Sequence, residues 1–300
     1  MKNYFAYRVC DRCGKKHDAT RDTCPSCGRE FEFEEKKRFL NDVRVGWVKN
    51  LLFFLIGLLG FQGFGLLISS VAGTVYLGNW ATAHPSASLE ERTAALLDFS
   101  KTANYSMIVN GIAYAIVFLA MLIILNKDIK EYGRGFKGWK PYLAGLVGFF
   151  ALIMVNVVWN FVIQAIRPST GTNANQSTIV SMAISYPVLS ILIFGVIGPI
   201  CEEFTYRIGL FSLTKRLSRV AAYIITPLVF GFIHFGWGSI ATGGDALIIE
   251  LLNIPDYILA GVIFAFLYDR FGIGASTTAH VMNNLLSFIQ ILILHSQGKV

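Results

Sequence analysis

Long apolar runs alternate with short polar connections along most of the chain, and seven of the runs read as helices crossing roughly 30 Å of hydrocarbon. They extend from Trp47 to Tyr76, Tyr105 to Leu125, Tyr142 to Ile166, Ile179 to Leu213, Val220 to Phe235, Ala246 to Tyr268, and Ile273 to Leu294. The fifth is short. The fourth is too long for one uninterrupted span and contains Pro187 and Pro199, so a kink or a break is predicted near its start. No cleavable leader is expected before Trp47, and the first span is expected to remain in the mature protein.

The polar connections alternate in basic content. One set carries Lys36, Lys37, Arg38, Arg44 and Lys49, then Lys127, Lys130, Arg134, Lys137 and Lys140, then Lys215, Arg216 and Arg219, then Arg270. The opposite set carries only Arg92 and Lys101, then Arg167, then Lys299 after the last span. The positive-inside rule turns this alternation into a cytosolic N-terminus and an external C-terminus of a multi-pass cell-membrane protein. The segment RPSTGTNANQS, from Arg167 to Ser177, has the composition of an exposed loop.

Composition agrees with membrane insertion. Of 300 residues, 54% are hydrophobic and 15% charged, and a mean hydropathy of +0.54 excludes an ordinary soluble domain. The formal charge of +7 raises the question of nucleic acid, but the basic residues flank apolar runs, so they act as topology signals and no nucleic-acid partner is expected.

Four of the five cysteines fall near the N-terminus. The string VCDRCGKKHDATRDTCPSCGREF holds Cys10 with Cys13 and Cys24 with Cys27 as two C-x-x-C-G knuckles. Two knuckles supply four thiolates for a tetrahedral Zn²⁺, and Gly14 and Gly28 allow the left-handed backbone that turns amides toward sulfur. A segment this small cannot bury enough apolar surface to fold alone, so the metal supplies its folding free energy. With all four positions taken by protein, such a site is structural. His17 is read as a solvated loop residue. The run FEFEEKKRF, ending at Phe39, is read as a charged link to the membrane.

Polar residues inside apolar runs ask for an explanation, because an ionised side chain at the bilayer centre costs about 2.5 to 3.5 kcal/mol on insertion scales. Glu202 and Glu203 lie in GPICEEFTYRIGL, with Arg207 four residues after Glu203. Ideal helical geometry pairs Glu203 with Arg207 and turns Glu202 about 100° away, toward another neighbour. Two later runs each carry a histidine: Phe230 with His234 in VFGFIHF, and His280 with Asn284 in AHVMNNLLSF, each pair one turn apart. Asn156, Asn160 and Gln164 form a polar stripe along the third span, read as interhelical glue.

The series E-E-x-x-x-R, F-x-x-x-H and H-x-x-x-N, in that order between Ile179 and His295, resembles the CPBP family of intramembrane proteases, the CAAX-processing and bacteriocin-self-immunity (Abi) group. The resemblance implies that Glu202 and His234 polarise an attacking water while His280 and Asn284 stabilise the oxyanion. It also implies that Glu203 and Arg207 support the site from behind, with Tyr206 and Phe230 shaping the pocket. The residue types suit these roles, since a carboxylate accepts a proton from water and an amide donates to developing negative charge. Glu202, His234 and His280 also have the composition of a catalytic zinc site, but no H-E-x-x-H pair preforms one, and the metal-free mechanism is preferred.

The expected architecture is an all-α polytopic membrane protein of about seven transmembrane helices with a small N-terminal zinc ribbon. The ribbon covers residues 1–33, a charged juxtamembrane linker 34–46, and the transmembrane domain 47–296, with the protease core at about 179–295. The expected function is hydrolysis of peptide bonds in a membrane-associated protein or peptide, with CAAX-type and bacteriocin-immunity-related substrates both open. The bilayer is one partner, and the ribbon offers a surface for a cytosolic one. Two other classes compete. A non-enzymatic scaffold or pseudoprotease would have no need of Glu202 once Arg207 pairs with Glu203, and a transporter would be favoured by inverted repeats, of which the sequence has none.

Overall fold

A computed structural model describes residues 7–9, 12–13, 15–18, 23–30, 46–168 and 173–299. At the N-terminus, β1 (Tyr7–Val9) and β2 (Lys16–Asp18) pair antiparallel with Tyr7 opposite Asp18 and Val9 opposite Lys16. His17 therefore lies in a strand, opposite Arg8, and not in a loop. Thr23 bridges Glu30 around the second knuckle, where Gly28 adopts φ +70°. Cys10, Gly14 and nearly all of the linker 34–46 lie outside the described residues.

The remainder is helical. In chain order the elements are α1 (Trp47–Ala83), α2 (Leu89–Ser100), α3 (Ala103–Leu125), α4 (Ile129–Arg134) and α5 (Lys140–Ile166). They continue with α6 (Ala174–Ser185), α7 (Pro187–Lys215), α8 (Arg219–Ile233), α9 (Gly238–Thr242), α10 (Gly244–Phe271) and α11 (Ile273–Ser296). Among the described residues six helices, α1, α3, α5, α7, α10 and α11, are long and apolar enough to span a bilayer, and α8 is a shorter apolar helix. These match the seven apolar runs. Large apolar side chains on their outer faces, such as Leu66, Ile123, Phe161 and Val188, are exposed, which suits hydrocarbon and not water.

The break expected near the start of the fourth run falls at Tyr186 and Pro187. Pro187 has no N–H to continue the ladder of α6 and sits in the first turn of α7, while Tyr186, held before a proline, leaves the helical region. Beyond it α7 is not a regular α-helix: Ile191–Ile197 and Glu203–Phe211 are wound as π-helix. The second of these turns carries Glu203 and Arg207, and wide turns of this kind recur at functional sites.

Helix α7 lies at the centre of the bundle. Phe204, Ile208 and Phe211 pack with Phe53 of α1, Met121 of α3 and Tyr268 of α10, while Tyr206 and Leu210 pack with Phe230 of α8, Phe264 of α10 and Ala279 of α11. The approach of α1 to α7 depends on two glycines. Any Cβ on Gly57 would overlap Thr205, and one on Gly209 would stand 2.8 Å from the Phe54 backbone nitrogen. Asn50, fully buried, secures the same contact by donating to the Ile208 carbonyl and accepting from Arg216.

Candidate active site

Glu202, Tyr206, Phe230, His234, His280 and Asn284 all line one cavity of about 440 Å³, enclosed by α1, α3, α5, α6, α7, α8, α10 and α11. Helices distant in sequence thus bring the three motifs to one space.

The ring of His280, buried on α11, lies between the two glutamates of α7. Its Nδ1 is 3.0 Å from Glu203 Oε1 and its Nε2 is 3.5 Å from Glu202 Oε2. Glu203 also faces Arg207, Nε to Oε2 at 3.5 Å, so the pair expected from helical spacing forms although the intervening turn is π and not α. Both side chains are buried, and the guanidinium lies over the rings of Phe230 (5.2 Å) and Phe264 (5.5 Å) in place of hydrogen-bonding partners among the described residues. Glu203 and Arg207 therefore stand behind the cavity wall, holding His280 from one side. Phe264 stacks on the His280 ring from another, at 4.2 Å and 22°.

Glu202 is turned away from Arg207, as the helical geometry anticipated. Its neighbours are His280 and the hydroxyl of Tyr114, which donates to Glu202 Oε1 at 3.3 Å from α3. His234 sits just past the end of α8, with Nδ1 2.8 Å from the Phe230 carbonyl and its ring stacked on Tyr257 at 4.5 Å and 12°. Its other nitrogen, Nε2, is left for the cavity. Asn284 commits one amide N–H to the Phe194 carbonyl at 3.0 Å, and a second N–H remains.

Three residues of this site were not picked out from the sequence. Tyr114 gave no signal, since a tyrosine within an apolar run is ordinary. Tyr257 was equally silent. Asp256 carried the signal already used for Glu202, a carboxylate inside an apolar run, and the structure sets it in the cavity wall, accepting from Asn156 Nδ2 at 2.9 Å. The stripe read as interhelical glue thus ends on a carboxylate: Asn160 donates to Asn156, and Asn156 to Asp256. Glu250, also unremarked, is structural; its two oxygens accept from the Gly236 and Ala174 amides at 2.9 Å.

Metal-ligating groups converge in the ribbon. The ligand atoms of Cys13, Cys24 and Cys27 lie within 4.8 Å of one another, with the Cys13 and Cys24 sulfurs 3.6 Å apart, an arrangement able to hold a metal ion. Burial pushes the Cys24 thiol up, but hydrogen bonds from the Ser26 and Cys27 amides, then from the Cys27 and Cys13 side chains, outweigh it and bring the thiol to about 6. Glu202, His234 and His280 do not form such a cluster. Nε2 of His280 faces the Glu202 carboxylate at 3.5 Å, and Nδ1 of His234 is held by the Phe230 carbonyl, which leaves the His234 Nε2 toward the cavity.

Residues 184–286, which hold all three motifs, match the family model described as Rce1-like, type II CAAX prenyl endopeptidase Rce1-like. That stretch of the chain resembles the Rce1-like family. Outside it lie α1 to α5, most of α6 and the ribbon. Among curated proteins, the chain is similar to an uncharacterized protein of Mycoplasma capricolum, 25% identical over 63% of this chain and 56% of that one. It is similar also to the "putative membrane peptidase YdiL" of Bacillus subtilis, 24% identical over 62% of this chain and 70% of the other. A third relative is the UPF0177 protein YvdC of Lactococcus lactis, 23% identical over 52% and 56%. The chain thus spans between 56% and 70% of the lengths of these relatives. No solved structure matches it significantly.

Proposed function

We propose that this protein is an intramembrane endopeptidase that hydrolyses peptide bonds of a membrane-associated protein or peptide with water activated by Glu202. The observation that carries the reading is the His280 ring held between Glu202 and Glu203 at the wall of a cavity, within an Rce1-like stretch. Donation of Nδ1–H to Glu203 fixes the orientation of the His280 ring. Glu202, held by Tyr114 on one oxygen, takes a proton from a water in the cavity, and His234, which lines the same cavity, orients that water.

The water oxygen then bonds to the scissile carbonyl carbon as the C=O electron pair moves onto oxygen. His280, protonated on both nitrogens with Glu203 as its counter-ion, and the remaining N–H of Asn284 donate to that oxyanion. Collapse breaks the C–N bond, and the leaving amine takes the proton that Glu202 removed. No step runs through a metal. In the ribbon, Cys10, Cys13, Cys24 and Cys27 hold one Zn²⁺ whose contribution is to folding. The ribbon and the N-terminus lie in the cytosol, and the C-terminus outside, as the basic connections direct. Reporter fusions at both ends check this; two termini on one side contradict it.

Glu202→Gln tests the chemistry, because it keeps the shape and removes the base. In proteoliposomes this variant inserts like the wild type and loses cleavage by about 10² to 10⁴-fold. Wild-type rates from Glu202→Gln overturn the mechanism.

A further inference from the structure

Asp256 stands in the middle of α10, directly after Pro255, in a helix otherwise apolar enough to span a bilayer. A carboxylate in such a place needs a partner, and those available to it are few. Asn156 donates to Oδ2 at 2.9 Å, no partner for Oδ1 exists among the described residues, and no cation pairs with Asp256. Among the described residues the buried carboxylates are answered within the chain: Asp269 by Lys215 and Arg219, Glu203 by Arg207, Glu250 by two backbone amides. Asp256, half-buried at the cavity wall, has only Asn156.

The cavity itself sharpens the contrast. Two carboxylates, Glu202 and Asp256, belong to its wall, and among the described residues no lysine or arginine does; the other polar side chains there are amides, hydroxyls and the two histidines. The wall therefore attracts a cation and repels an anion. Tyr257, which follows Asp256 on α10, stacks on His234, while Glu202 faces His280 in the same cavity.

We propose that Asp256, oriented by Asn156, is a specificity subsite that receives a basic side chain of the substrate, so that the preferred segment carries a lysine or arginine near the scissile bond. This rests on the peptidase reading for its meaning, but the subsite binds whether or not the bond is cut. The charge of the wall selects against an acidic side chain, and against a free C-terminal carboxylate in the same place. Such a segment is cut internally. Asn160 and Asn156 then act as a relay that fixes the carboxylate, which explains a polar stripe on a helix of otherwise apolar character.

The test separates binding from cleavage. The full chain with Glu202→Gln is placed in nanodiscs of zwitterionic phosphatidylcholine, so that lipid charge contributes nothing, and titrated with three dye-labelled Leu/Ala membrane peptides. These differ only in a single Lys, Gln or Glu at the middle of the segment, and scanning that residue along the peptide finds the preferred register. The expected result is tightest binding of the Lys peptide, by about 10- to 100-fold over Gln, with Glu weakest. Asp256→Asn, which keeps the shape and the contact with Asn156, brings the Lys and Gln peptides to within about threefold of each other. Equal binding of all three peptides, or a Lys preference that survives Asp256→Asn, overturns the subsite. Cleavage of the same peptides by the chain with Glu202 intact is scored separately, and its absence counts against the peptidase reading while leaving the binding result to stand on its own.

Discussion

In the ribbon, three thiols crowd within 4.8 Å of one another, whereas Glu202, His234, His280 and Asn284 are spread round the walls of a cavity of about 440 Å³. The ribbon groups turn toward each other, and backbone amides hold Cys24 in the form a metal needs. The cavity groups turn partly away from each other: His280 is fastened to Glu203, His234 to the Phe230 carbonyl, and Asn284 to the Phe194 carbonyl. His280 and His234 each keep a second ring nitrogen, and Asn284 a second N–H, toward the cavity. Closure suits a structural ion and openness suits a reaction, because a substrate must reach between the groups.

The first way to break this comparison is to strip zinc from the ribbon. Structural zinc sites carry apparent binding free energies of about 10 to 16 kcal/mol at neutral pH, so chelation unfolds the ribbon. Hydrogen exchange reads the outcome: protection of the Cys24 and Gly28 amides, bonded to the Arg29 and Cys24 carbonyls, collapses while that of α7 is unchanged. Protection that survives chelation would make the metal dispensable. A second, smaller effect concerns the oxyanion donors. His280→Ala and Asn284→Ala each lower the cleavage rate about 10² to 10³-fold, and rates within threefold of wild type would remove them from the chemistry.

Smaller again is Tyr114→Phe, which deletes only the hydroxyl that donates to Glu202. A hydrogen bond to a charged group is worth about 1.5 to 3 kcal/mol, so a fall of about 10- to 150-fold in kcat/KM is expected, toward the lower end for a contact of 3.3 Å, with zinc content unaffected. An unchanged rate would show that Glu202 is held without it. The smallest effect belongs to Cys24→Ser. If the two regions are independent, loss of ribbon zinc changes cleavage by no more than about twofold, the scatter of uncoupled sites, whereas a large fall would tie the ribbon to the cavity.

The two regions also differ in how much of them could be read from the chain. The knuckles are contiguous, and Cys13, Cys24 and Cys27 cluster as their spacing implies. The seven apolar runs and the break at Pro187 were equally legible, because apolar length and proline act locally. The meeting of Glu202, His280 and Tyr114 is not local. It depends on the π turns of α7 and on glycines that let α1 and α7 approach, neither of which the hydropathy pattern encodes. Spacing paired Glu203 with Arg207, but the third member, His280, comes from a helix 77 residues away. Asp256 was legible in principle and passed over because no motif surrounded it.

The central claim is that the cavity cuts peptide bonds with its own side chains and the ribbon alone needs a metal. The direct measurement is metal content and cleavage on the same samples of the Cys24→Ser chain, reconstituted after exhaustive chelation, beside the same chain carrying Glu202→Gln. The account predicts cleavage at close to the wild-type rate with no zinc remaining, abolished by Glu202→Gln. Cleavage that falls with the metal and returns on adding zinc would contradict it.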